Sequence, residues 1–107
     1  MSENKFLLKT ILPELCIELK ELLKRRNIPG LTETVDSLMV FEKCVCGENA
    51  CASIYTAPKP VESFGDGHEN IMLNAECGML ILDVVNSEIR FIEILDRPEY
   101  KKVIDKI

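Results

Sequence analysis

The chain has 107 residues, 47% of them hydrophobic, and its 13 Lys and Arg against 18 Asp and Glu leave a net charge of −5. That length fits one domain with one core, and five Gly with five Pro are too few for a disordered chain. No apolar run approaches the roughly 20 residues that span a bilayer; the longest, Met79 to Leu82, is stopped by Asp83.

The segment Met1 to Leu12 carries Glu3, Lys5 and Lys9 between short apolar pieces, which is no export signal, so a cytoplasmic protein is expected. Charge is unevenly spread. Residues 31–100 hold four basic and thirteen acidic side chains, whereas residues 1–30 and the last seven are each net +2. The acidic centre would repel a phosphate backbone, and without Trp or an aromatic ladder among basic residues there is no base-stacking platform. Nucleic acid is therefore excluded as a partner, and a membrane with it.

Along the chain, Phe6 to Ile11 reads as a separate short turn. The steps Leu12, Leu15, Cys16, Leu19, Leu22 and Leu23 form one helical stripe. Pro13 suits the first turn of that helix, and Lys24, Arg25 and Arg26 suit its end. Asn27 and Pro29-Gly30 stop it. Cys16 lies on the stripe and reads as core. Leu31, Val35 and Leu38 suggest a short second helix with Thr32 as N-cap.

Strands follow. Val40 to Cys46 and Cys51 to Ala57 flank Gly47-Glu48-Asn49-Ala50 as a hairpin, and Pro58 to Asn70 reads as a long loop. Ile71 to Ala75 is a third strand, and Met79 to Val85 with Ile89 to Leu95 form a second hairpin around Asn86-Ser87. Asp96 is then expected to cap a last helix with Glu99 as capping-box partner. The order ααβββββα predicts one α+β domain over residues 1–107: N-terminal helices, a largely antiparallel sheet of about five strands built from two hairpins, and a C-terminal helix.

The chemically informative stretch is Cys44 to Cys51. If residues 47–50 are the loop, Cys46 faces Cys51 and Cys44 faces Ser53, so three thiols share one side. Phe41, Val45, Ala52 and Ile54 share the other, more apolar side and are expected to be core. An odd count of five cysteines in a chain without an export signal argues for metal ligands, redox groups or packing rather than a disulfide framework. A zinc ion with Zn–S bonds of about 2.3 Å would draw such sulfurs together.

The spacing C-x-C-x4-C resembles the post-SET zinc motif that follows lysine methyltransferase domains. There, three cysteines bind zinc with a fourth from a distant loop. The resemblance covers eight residues and implies ligand chemistry for Cys44, Cys46 and Cys51, with no methyltransferase activity. The strings Cys44-x-Cys46-Gly47…Cys51, Gly65-x-Gly67-His68-x-Asn70 and Glu93-Ile94-Leu95-Asp96-Arg97-Pro98-Glu99 also resemble a group of small bacterial proteins with no assigned function. That second resemblance covers most of the chain and implies a bacterial source, and it pairs the cluster with the His68 loop.

His68, flanked by glycines that let a loop bend toward a metal, is the expected fourth ligand. Cys77, Asp66 and Glu69 are the alternatives. The expected protein holds a structural zinc at Cys44, Cys46, Cys51 and His68 and binds or regulates another protein, without being an enzyme. The alternative is a thiol-based redox sensor or enzyme, against which Glu42 and Glu48 count because negative neighbours raise a thiol pKa. Glu93, inside an apolar strand, is the one central carboxylate where burial would signal function.

Overall fold

The computed structural model describes residues 6–107. Residues 1–5, part of the segment read for an export signal, lie outside the described residues. Among those described, no helix is long and apolar enough to cross a membrane.

The first elements are a two-residue strand β1 (Phe6–Leu7), one helical turn α1 (Leu8–Ile11) and the long helix α2 (Pro13–Arg25). Pro13 opens α2, where its missing N–H costs no hydrogen bond. Asn27 ends the segment in the left-handed conformation, φ 61°. The next helix α3 (Pro29–Thr34) passes into a 3-10 turn, Val35–Ser37. Thr32 does not cap α3 as expected. It lies inside the helix, and its hydroxyl donates back to the Ile28 carbonyl at 3.2 Å.

Strand β2 (Met39–Val40) pairs with β1, and a second sheet holds the rest: β3 (Glu42–Lys43), β4 (Ile54–Tyr55), β5 (His68–Leu73), β6 (Met79–Val85) and β7 (Glu88–Leu95), in the order β3-β4-β7-β6-β5, all antiparallel. The β6–β7 hairpin turns on Asn86 and Ser87, both with positive φ (51° and 67°). This is the mirror-image turn that matches strand twist. The expected α+β domain with two hairpins is therefore the fold, and α4 (Pro98–Ile104) closes it.

One face of the sheet is buried. Ile54, Leu80, Leu82, Ile92 and Ile94 form one cluster with Leu15, Cys16, Leu19 and Leu23 of α2 and with Tyr100 and Ile104 of α4. Each such Leu or Ile contributes about 1.5–3 kcal/mol relative to exposure. The opposite face, with Tyr55, Phe91, Ile81, Asp83 and Glu93, stays half open. Glu93 is thus half-buried on the open face and not a buried carboxylate.

Three local expectations change. The first hairpin keeps only two paired residues on each strand, because the chain leaves the ladder after Lys43. Val45 consequently escapes the alternation and is 84% exposed, while Ala52 and Ile54 are core as expected. The strand before β6 begins at His68 rather than Ile71. Finally, Asp96 does not cap α4. It sits at φ 58°, Arg97 takes the N-cap position, and Glu99 turns to Arg97 instead of forming a capping box.

Arg97 is the polar centre of the helix side. Its guanidinium grips Glu18 of α2 with two bonds of 2.8 and 2.9 Å, donates to Glu99 at 2.8 Å and reaches the Cys77 carbonyl at 3.3 Å. Tyr100 donates its hydroxyl to the same Glu18 carboxylate at 2.7 Å. Burial and the Glu18 carboxylate push the Tyr100 phenol well above its ordinary value. This network ties β7 and α4 to α2 across the chain. The Arg97→Ala variant leaves the Glu18 charge unpaired, and we expect a loss of about 3 kcal/mol in urea unfolding. A loss under about 1 kcal/mol would show the network to be peripheral.

Candidate metal centre

The hairpin that carries the cysteines has the register the sequence implies. Glu42 pairs with Tyr55 and Lys43 with Ile54, and the Cys44 N–H continues it by donating to the Ser53 carbonyl at 3.0 Å. Beyond that point the ladder gives way to a loop. Gly47 supplies φ 82°, a conformation other residues rarely adopt. The Cys51 N–H closes the turn on the Glu48 carbonyl at 3.2 Å. On its other side Cys51 bridges to Leu95 of β7, and the Ala52 N–H donates to Ile94 at 2.8 Å, so the second half of the hairpin is fixed to the central sheet.

The result brings the sulfurs of Cys44, Cys46 and Cys51 within 4.8 Å of one another. Sulfurs bound at about 2.3 Å to a tetrahedral zinc stand about 3.8 Å apart. A contraction of no more than about 1 Å, within reach of side-chain rotation, would seat one ion on all three. Cys44 and Cys51 are half-buried and Cys46 is exposed, and none is in a disulfide. The three thiols could hold a metal ion.

The surroundings favour negative charge at the Cys51 sulfur and oppose it at Cys44. Backbone N–H groups of Cys46 and Ser53 point at the sulfurs of Cys44 and Cys51 respectively. The Ser53 hydroxyl lies 3.3 Å from the Cys51 sulfur. That hydroxyl is only reachable because Ser53, 2% exposed, is held in place by accepting the Ile94 N–H at 2.9 Å. Burial raises the Cys51 thiol, but the Ser53 hydroxyl and N–H and the two neighbouring thiols outweigh it, so it lies below the ordinary cysteine value. Burial pushes Cys44 up to about 11, and proximity to Cys46 and Cys51 adds to this. Cys51 therefore ionises before Cys44, and a second thiolate beside it is opposed until a cation offsets the charge.

The cysteines line a depression of about 320 Å³ whose far wall is α4, through Lys101, Ile104 and Asp105; Lys43 and Glu48 complete the rim. Neither α4 charge is legible from the sequence as part of the site. Lys101 and Asp105 show only the four-residue spacing of a helix-face ion pair, 3.2 Å here. Ser53, in contrast, carries a sequence signal, since it lies two residues after Cys51 on the same side of the strand.

The structure does not bring His68 to the cysteines. His68 opens β5, at the edge of the sheet opposite β3 and at the strand end away from the Cys51–Leu95–Met79 row. Across the sheet alone, three or four strand spacings, about 14–19 Å, separate them, and the length of β7 adds to this. Its ring is engaged by Asp83, with Nε2 to Oδ1 at 2.7 Å, and by the Phe64 ring at 4.9 Å, and Asn70 donates to the same Asp83 oxygen. The assignment of His68 as fourth ligand is corrected on this ground: strand order, invisible in one sequence, sends the two motifs to opposite edges. Asp66 and Glu69 lie at that same far edge. Cys77 lies in the turn before β6 and lines a separate depression beside Glu18 and Arg97, not the one the three cysteines share. Cys16 is core, as expected, at 2% exposure.

Compared with protein-family models, with curated proteins and with solved structures, the chain matches none, so the site is read from its own geometry. That geometry sorts the thiols. Cys16 is 2% exposed inside the core, whereas Cys44 and Cys51 are half-buried and Cys46 and Cys77 are exposed, so a reagent in solution reaches only the last four. Iodoacetamide on the native metal-free protein should therefore modify Cys44, Cys46, Cys51 and Cys77 and spare Cys16, as read by peptide mass spectrometry. Modification of Cys16 at a comparable rate would show that α2 does not pack as described.

Proposed function

We propose that Cys44, Cys46 and Cys51 bind a single zinc ion that staples the first hairpin, and that the chain works as a protein-binding or regulatory module rather than an enzyme. The observation that carries this reading is the convergence of three sulfurs within 4.8 Å, two of them served by backbone N–H groups. Thiolate ligands and tetrahedral spacing select zinc among common divalent ions. The loop 44–51 makes few ladder bonds of its own, so an ion there would supply order the backbone lacks. A partner with a basic surface suits the thirteen acidic side chains of residues 31–100.

Protein purified without a His tag should contain one zinc per chain. Cys44→Ser, Cys46→Ser and Cys51→Ser should each lose it, with a fall in thermal midpoint that chelator reproduces in the parent protein. Less than about a tenth of an equivalent, with the three thiols freely titratable, would overturn the zinc reading.

One observation favours a second reading, thiol redox chemistry. The Cys51 thiol is the lowered one, and two further sulfurs lie close enough to resolve an oxidised form of it. The same alkylation series separates the two. Zinc protects Cys44, Cys46 and Cys51 together, whereas a redox thiol leaves Cys51 singly hyper-reactive in metal-free and zinc-treated protein alike.

A further inference from the structure

We infer that Asp105, at the C-terminal end of α4, is the fourth ligand of the cysteine-held ion, so that the metal joins the hairpin to the last helix. The inference rests on the metal-binding reading of Cys44, Cys46 and Cys51. Three sulfurs supplied by one hairpin occupy one side of a tetrahedron. The remaining vertex points away from the hairpin, into the depression that the sulfurs share with α4. Of the α4 side chains on that wall, Lys101 and Ile104 cannot ligate a cation, and Asp105 can. Its carboxylate stands outside the 4.8 Å group of the three sulfurs and is paired with Lys101 at 3.2 Å. Ligation therefore requires a turn of this side chain, which is 57% exposed and, among the described residues, has only Lys101 as a side-chain partner.

Electrostatics agree. Asp105 sits at the C-cap of α4, where the partial negative charge of the helix end disfavours a carboxylate. Lys101 offsets part of this, and a divalent ion at the cysteines would offset far more. Three thiolates and one carboxylate around a divalent cation leave a charge of −2, and Lys43 and Lys101 on the rim of the depression match it. Glu48 also lines the depression, but its backbone belongs to the loop between two of the sulfurs and is committed to the turn through Cys51. A ligand there would add no contact from outside the hairpin.

Cobalt(II) titration of the full chain tests this. The parent protein should show thiolate-to-cobalt charge transfer in the near ultraviolet and the strong visible bands of four-coordinate cobalt. Asp105→Asn should keep the charge transfer, shift the visible bands and bind at least about tenfold more weakly, with unchanged metal-free melting. Asp105→Glu, which keeps a carboxylate one methylene further out, should recover part of that loss. An Asp105→Asn protein identical to the parent in spectrum and affinity overturns the assignment, and a change on Glu48→Gln instead would move the ligand to the loop. Asp105→Glu no better than Asp105→Asn also overturns it. Absence of charge transfer in the parent removes the metal reading itself, an outcome distinct from these.

Discussion

One-sided burial is the constraint on which the remainder of this molecule depends. Up to a bulge at Asp83/Val84, strands β6 and β7 alternate, so that Leu80, Leu82, Ile92 and Ile94 all point to one side and are closed off by α2, α3 and α4. A register slip by one residue in that hairpin would carry the whole set to solvent. The turn at Asn86-Ser87 fixes the register, and everything else is attached to this pair: β5 on one edge, and β4 with the cysteine hairpin on the other. The core thereby sets where the cysteines lie, although none of Cys44, Cys46 and Cys51 belongs to it.

Against that rigid centre the cysteine hairpin is lightly built. Its second half is anchored to β7 through Cys51, Ala52 and the Ser53 hydroxyl, while residues 44–50 are held by three backbone bonds, from Cys44 to Ser53, from Cys51 to Glu48 and from Asp96 to Ala50. Buried polar atoms elsewhere are satisfied among the described residues, and the Arg97–Glu18–Tyr100 network holds α4 firmly on α2. The site therefore lies between α4, held by that network, and residues 44–50, which carry few backbone bonds. An ion joining the two walls would gain from order already present on one side and would impose order on the other.

Much of the fold is legible in the residues, for identifiable reasons. The 3.6-residue stripe from Leu12 to Leu23 is strong because one face of α2 is buried, and the apolar runs at 79–85 and 89–95 stand out because they flank a clear turn at Asn86-Ser87. The pairing of Cys44 with Ser53 follows from a loop length set by Gly47. Alternation places Val45 in the core only while a ladder lasts, and the last ladder bond here is the one Cys44 donates to Ser53. Asp96 was misread because the chain needs a left-handed residue there, which places Arg97 and not Asp96 before the helix.

The α+β class, the core stripe of α2, the second hairpin and the convergence of three thiols are written in the chain itself, because each depends on neighbours a few residues apart. Tertiary structure alone decided what the thiols face. Strand order β3-β4-β7-β6-β5 places His68 at the opposite edge, where Asp83 engages it, and lays α4 across the cysteine depression. The physical reason is that strand order and helix placement are set by burial of the whole apolar surface at once. No local spacing records which distant side chain that packing delivers to a site.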